Sequence, residues 1–241
     1  MSSVDMASAL DTFFDAIASK QGGYIACTCT HGIVEADTDA RLRDVLNHSL
    51  LTLPDGMPTV WMGRLQLMPV RRVTAPDFMA KALTDVRAKR VRHYFYGASE
   101  ATLRQILSRA SHAAGARAIV GGYSPPLRPA GTPEDDDVLA AIAAARPDVI
   151  WVGLGLPKQE YWMAQYRDRF PSSVLVGVGA AFDWYSGNKQ RAPWAVQVLG
   201  LEWLHRLACE PRRLWPRYSV VVPKALAIMM RDTAALLSPH K

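Results

Sequence analysis

Cysteine is scarce in this chain. Cys27, Cys29 and Cys209 are the three among 241 residues, and an odd count with a single C-x-C supports neither a disulfide framework nor a four-ligand zinc site. That usage points to a reducing compartment. His31, His93, His112 and His205 lack the spacing of metal ligands. The first twenty residues, MSSVDMASALDTFFDAIASK, carry acids and lack the basic start of a secretory leader. The sequence has neither low-complexity tracts nor an internal repeat. Its most apolar stretch, YSVVVPKALAIMMRDTAALL (218–237), is broken by Pro223, Lys224, Arg231 and Asp232, which makes it a poor membrane span. Hydrophobic content of 49% with 21% charged residues is that of a globular protein with a substantial core.

One further absence is the most informative. In DVIWVGLGLPKQEYWM (148–163) an apolar run ends in Gly153-Leu154-Gly155, followed by Pro157-Lys158-Gln159-Glu160 and an amphipathic segment. This reads as strand, glycine loop and helix start, an arrangement that offers backbone N–H groups and a helix N-terminus to a phosphate. A dinucleotide fingerprint would place its third glycine at 158, where Lys158 stands. A lysine at the positive end of a helix dipole is unfavourable and argues for an anionic partner.

The periodicity predicts helices over 5–19, 37–51, 78–88, 100–114, from Thr132 to about Ala145, and 159–169. Strands are predicted at 24–30, 90–97, 116–123, 148–153 and 173–179, with Leu53-Pro54-Asp55-Gly56 as a turn. Thr132 is read as a helix cap, with Pro133 at the first position and acids behind it. Strands that are unbroken apolar runs, alternating with helices, give an α/β fold: a Rossmann-like, mainly parallel sheet covered by helices on both faces. Ligands bind such sheets at the carboxyl ends of the strands, so the terminal glycines Gly97, Gly122, Gly153, Gly155 and Gly179 are expected to line one cleft.

After Ala180 the strand pattern stops. The expected organisation is a core over 1–200 and a basic, apolar helical appendage over 201–241. The net charge is +6, and residues 200–241, with seven Lys/Arg against three Asp/Glu, hold most of it. Nucleic acid or an anionic membrane surface would each suit that basicity. On a helix, Lys224 and Arg231 share one face, and Leu226, Met229, Met230 and Leu237 another. That suits an interfacial helix on a membrane, and equally a helix packed on the domain body or on a second copy of the chain. Arg206, Arg212, Arg213 and Arg217 mix with Trp203, Trp215 and Tyr218, a combination for anions or lipid headgroups. The pairs Asp37/Asp39 and Asp135/Asp137 resemble metal-holding D-x-D motifs, but both sit at helix starts, where the dipole explains them. Asp55 is either an Asp-Gly turn residue or a carboxylate held beside the cleft as a general base.

Six segments, in order along nearly the whole chain, resemble the WecG/TagA/CpsF family of bacterial glycosyltransferases. They are LPDGMPTVW (53–61), RRVTAPDF (71–78), YFYGAS (94–99), IVGGYSPP (119–126), PDVIWVGLGLPKQEYW (147–162) and the run from VGVGAAFDW to EPRRLWPRY (176–218). The resemblance implies inverting transfer of a sugar of N-acetylmannosamine, glucose or uronic-acid type from a UDP-sugar to a polyprenyl-diphosphate-linked saccharide. It places the enzyme at the cytoplasmic face of the membrane, peripherally bound, in bacterial surface or exopolysaccharide biosynthesis. It also implies that no metal or other cofactor is needed. Carried over, Asp55 is the base, while Thr28 and Gln159 complete the catalytic set. Arg72 and Asp77 belong to the R-V-x-G-x-D element, with Ala75 in place of its glycine. Thr30 replaces the asparagine of the early T-x-N. Arg206, Arg212 or Arg213, and Arg217 fold over the site. Lys158 and Glu160 join the glycines as substrate-binding residues, and YSPPLRP leans toward exopolysaccharide assembly. A homodimer is allowed and no nucleic acid is expected.

Two other classes compete: a non-enzymatic nucleotide- or nucleic-acid-binding α/β module, for which no recognition motif is present, and an NAD-dependent oxidoreductase, against which Lys158 argues.

Overall fold

The computed structural model describes residues 1–129 and 131–237. Asp5 starts the first helix, α1 (Met6–Ala18), by exchanging hydrogen bonds with Ser8. The chain continues through β1 (Gly23–Thr28), α2 (Thr30–Thr38), α3 (Ala40–Asn47), β2 (Leu51–Pro54), α4 (Met57–Leu65), α5 (Ala75–Thr84) and β3 (His93–Gly97). It proceeds through α6 (Glu100–Ala114), β4 (Ile119–Tyr123), α7 (Asp136–Ala144), β5 (Val149–Gly153), α8 (Lys158–Tyr166) and β6 (Val174–Gly177). It closes with α9 (Ala181–Ser186), α10 (Trp194–Val198), α11 (Glu202–Cys209) and α12 (Pro211–Leu237).

The strands form one sheet in the order β2-β1-β6-β5-β3-β4, and every adjacent pair is parallel. All carboxyl ends therefore share one edge. Side chains alternate between two cores. From β5, Val149 and Trp151 enter the face shared with Phe13 and Phe78, while Ile150 and Val152 enter the face shared with Tyr24, Tyr96 and Trp162. The Phe13 and Trp151 rings lie 5.7 Å apart on the first face, and Tyr96 stacks on Trp162 at 4.3 Å on the second. Burial on both faces is why these strands read as continuous apolar runs.

The elements differ from the sequence reading in instructive ways. The segment 53–56 is not wholly a turn: Leu51–Pro54 pairs with β1, and Pro54 is tolerated because β2 is an edge strand. The strand expected over 24–30 ends at Thr28, since Thr30 already opens α2. The helix expected over 37–51 is shorter, because Asp39 ends α2 and starts α3, its Oδ1 accepting from the N–H groups of Arg41 and Leu42. The helix expected from Phe78 begins at Ala75 instead, capped by Thr74 with Pro76 behind it. The helix after Thr132 starts only at Asp136, because Glu134 is drawn elsewhere. Its side chain accepts from Tyr96, and its N–H donates to the Tyr166 hydroxyl at 2.7 Å.

Residues 202–237 pack back on the body. Val221, Ala225 and Ile228 of α12 bury against Val34 of α2 and Met62 of α4. Arg231 pairs with Asp37 at 2.9 Å, and the Gln66 amide donates to Asp232 at 2.8 Å. Of the face expected to be apolar, Met229 joins this packing, Leu226 and Met230 stand exposed, and the side chain of Leu237 lies outside the described residues. Among the described residues no helix is long and apolar enough to cross a membrane.

Candidate active site

Asp55 hangs from the end of the edge strand. Its N–H donates to the Thr28 carbonyl at 3.0 Å, one step past the last paired residues of β1 and β2. The Val73 N–H holds the Pro54 carbonyl at 3.0 Å. Gly56 follows with φ of 103°, a backbone shape that a side chain would strain, and α4 starts immediately with Pro58 in its first turn. The carboxylate is thus fixed by backbone on both sides and faces a cavity of ≈ 370 Å³. Burial pushes its pKa up to about 6; the Glu202 charge adds to this, while Arg206, the Ala75 N–H and Arg72 oppose it. A carboxylate with that affinity for protons is suited to general-base chemistry near neutral pH.

Four arginines line the same cavity, Arg72, Arg191, Arg206 and Arg217, against two carboxylates, Asp55 and Glu202. Arg206 lies over the Trp184 ring with its guanidinium carbon 5.0 Å from the centroid. His31 borders the cavity beside Glu35 at 2.8 Å; burial lowers its pKa against the pull of that carboxylate. Much of the rest of the wall is apolar, including Trp61 from α4, and Val222, Leu226 and Met229 from α12. One concave space therefore combines a base, a surplus of cations and a hydrocarbon surface.

The glycine loop lies next to this space without lining it. Gln159 turns back into the loop, its Oε1 accepting from the Gly155 N–H at 3.2 Å and its Nε2 donating to Glu160 at 2.9 Å. Lys158 donates to the Arg128 carbonyl at 2.8 Å, so its charge is directed away from the cavity wall. Glu160 is fully buried, and burial raises its pKa to about 7 against the lowering effect of the Gln159 hydrogen bond. Its second oxygen and the buried hydroxyl of Thr28 have no hydrogen-bond partner among the described residues. The end of β1 connects the two regions, since both Asp55 and Glu160 act electrostatically on Cys27 and raise its thiol further after burial has done so.

The expected glycines divide. Gly155 and Gly179 gather around Gln159, the latter with its Cβ direction 3.2 Å from Oε1. Gly97 abuts Gly153 backbone, and Gly153 abuts the Phe182 ring. Gly122 sits inside β4 against Leu103 and Leu107, a packing position. None of these five is in the wall around Asp55, where Gly56 and Gly200 are the glycines. Of the tail arginines, Arg206 and Arg217 face the cavity. Arg212 lies with Leu204 and Trp215 along a separate shallow groove, and Arg213 pairs with Glu210.

Asp77 accepts from the Thr74 hydroxyl at 2.6 Å and from Arg191. Burial alone would raise its pKa, but these hydrogen bonds hold it below the usual range. Of the paired acids, Asp37 holds Arg231, and Asp39 caps α3 and accepts from Tyr161. Asp135 and Asp137 flank the start of α7, where Asp136 between them meets Arg169 at 3.1 Å. Arg191, Glu202 and Trp184 were not singled out by sequence pattern. They lie in RAPW, GLEW and FDWY, within a matched segment, but they come to line one cavity with Arg72 and Asp55 only through the fold.

A family model described as "Glycosyl transferase WecG/TagA/CpsF family" matches residues 1–238. A protein of Bacillus spizizenii named N-acetylglucosaminyldiphosphoundecaprenol N-acetyl-beta-D-mannosaminyltransferase is 32% identical over 225 residues, covering 92% of this chain and 84% of its own. A protein of Bacillus subtilis strain 168 with the same name is 33% identical over 219 residues, covering 90% and 82%. One from Staphylococcus aureus strain NCTC 8325, again so named, is 38% identical over 81 residues, covering 34% and 32%.

Proposed function

The chain belongs to the WecG/TagA/CpsF family of glycosyl transferases, and we propose that it moves an N-acetylmannosamine-type sugar from a UDP-sugar to an N-acetylglucosamine carried on a polyprenyl diphosphate. Family membership makes the chain a glycosyltransferase, and neither the non-enzymatic module nor the hydride-transferring reading stands. The donor and acceptor follow the names of the Bacillus relatives. The observation that carries the reading is the composition of the cavity: Asp55, four arginines and the apolar side chains of α12 share one wall.

The reaction is an inverting displacement. Asp55 takes the proton of the acceptor hydroxyl as its oxygen bonds to the anomeric carbon. The bond from that carbon to the diphosphate breaks, and the electron pair leaves with the phosphate oxygen. Arginines preorganised around the leaving group stabilise its growing charge in a partly dry site, so cations of the chain take the part a metal ion plays elsewhere. The apolar wall receives the first units of the polyprenyl chain. Exposed Trp215 and Met230 lie on α12 and exposed Trp194 on α10, and contact with the membrane surface through them presents the cavity to its lipid-linked acceptor. The enzyme is peripheral on the cytoplasmic face in this reading.

The test is a donor screen for UDP release, using UDP-N-acetylmannosamine, UDP-glucose and a UDP-uronic acid with a short polyprenyl-diphosphate N-acetylglucosamine. Release with the first donor that depends on acceptor supports the proposal. Release with another donor alone moves the donor assignment, and release with none overturns it.

A further inference from the structure

Arg72 and Arg191 lie far apart in the sequence and flank one carboxylate. Arg72 Nη1 donates to Glu202 Oε2 at 2.9 Å and to the Gln197 carbonyl at 3.0 Å. Arg191 Nη2 lies 3.5 Å from Glu202 Oε1 and 3.3 Å from Asp77 Oδ2, and its Nη1 is held by Asp77. The Arg191 Nε is buried and has no partner among the described residues. Each oxygen of Glu202 thus meets a different guanidinium, and both guanidiniums border the cavity that contains Asp55.

Two guanidiniums converging on a pair of oxygens form the geometry that binds phosphate as readily as carboxylate. The 3.5 Å contact is long for a charge-assisted hydrogen bond, and Arg191 keeps a donor unused. Its fork is therefore not fully satisfied by the acids around it. Glu202 also leads α11, within the segment whose α10 supplies the Gln197 carbonyl, so its position depends on that short C-terminal segment rather than on the sheet.

We propose that Glu202 is a resident counterion in an anion subsite between Arg72 and Arg191, that the donor's diphosphate displaces it, and that Arg191 becomes a phosphate ligand. This rests on the nucleotide-sugar reading above. In the resting chain Glu202 keeps two half-buried cations apart from each other's repulsion. On donor binding, phosphate oxygens take over the Nη groups, the Nε of Arg191 gains an acceptor, and Glu202 swings out. Asp77 stays behind as the group that orients Arg191.

Calorimetric titration of the full chain with UDP, and separately with uridine, tests this. Glu202→Gln should bind UDP about three- to tenfold tighter than wild type, because the competing charge is gone, and Arg191→Gln more than tenfold weaker. Uridine affinity should not move in either variant. In turnover, Glu202→Gln should lower the donor KM without raising kcat, and shift the acid limb of the rate profile downward, since the Glu202 charge acts on Asp55. A purely structural role would lower melting temperature and move none of these. If Glu202→Gln melts early, Glu202→Asp, which withdraws the charge by one methylene, should show a smaller gain of the same sign. UDP affinity unchanged or weakened in folded Glu202 variants overturns the inference while leaving the transferase reading intact. A wild-type chain without UDP affinity overturns both.

Discussion

The backbone N–H of Asp55 donates to the carbonyl of Thr28 at 3.0 Å, so the proposed base is suspended from the end of the neighbouring strand. Its position depends on main chain and not on a mobile side-chain partner. Asp55→Asn should therefore keep the cavity's shape and UDP affinity while losing the proton acceptor. The expected loss in transfer is about 10²–10⁴-fold. Single-turnover kinetics and UDP titration on the same preparation check it, and turnover near wild type would remove Asp55 from the role.

The protonation of Asp55 also sets a pH limb. Its pKa is raised to about 6, and only the ionised form accepts a proton. The kcat/KM for transfer should rise with pH and level off above that value. A limb near the ordinary carboxylate range would show that the cavity opens to water in the working enzyme.

Glu160 makes a prediction about stability. Folded, it keeps its proton up to about pH 7, whereas unfolded it releases it near 4.5. The folded chain therefore binds more protons in that interval, and stability falls as pH rises through it. Asp55 adds to the fall between 3.8 and about 6. Glu160→Gln, neutral throughout, should flatten the decline by on the order of 2–3 kcal/mol between about pH 5 and pH 8. Urea midpoints across that range read it, and an unchanged slope would mean that water reaches Glu160.

Gly97 ends β3 with φ of 122°, and a Cβ there would fall 2.6 Å from the Gly153 carbonyl oxygen. Gly97→Ala should cost about 2–4 kcal/mol, from backbone strain and the collision together. Gly115 has φ of 97° but open space around it. Gly115→Ala should show only the strain, about 1 kcal/mol. Denaturant midpoints separate the two effects, and equal losses would show that crowding at Gly97 contributes nothing.

Exposed tryptophans carry the membrane prediction. Trp194 and Trp215 are 76% and 64% exposed, unusual for indoles in water. Replacing each with Ser should weaken co-flotation with anionic vesicles by several fold, with unaltered melting temperatures. Unchanged flotation would place the contact elsewhere.

The parallel α/β sheet was legible because its strands are buried on both faces. Runs such as VIWVG have no polar interruption, and the helix from Glu100 is where its pattern places it, whereas the Thr74 cap that starts α5 three residues early went unread. The edge strand β2 was hidden because it is four residues long and ends in proline, so it looked like a turn. The helix α2 was hidden because its cap is Cys29, which offers no side-chain hydrogen bond. At the site, Asp55, Arg206 and Arg217 stand out from local pattern and Arg72 from the family resemblance, and the four line one cavity. Lys158 looked like a phosphate ligand because only its helix was visible. Its actual partner, the carbonyl of Arg128, lies 30 residues earlier, in a loop without pattern. The Arg72–Glu202 contact spans 130 residues, and no local periodicity encodes it.

That span has a consequence for biosynthesis. A ribosome delivers Asp55 and Arg72 long before it delivers Glu202, Arg206, Arg217 and the face of α12 that closes the cavity. The sheet too waits, since β1 lies between β2 and the late strand β6. A partly synthesised chain thus holds the proposed base without the helices that complete the cavity around it, and that enclosure exists only once the last of them has emerged.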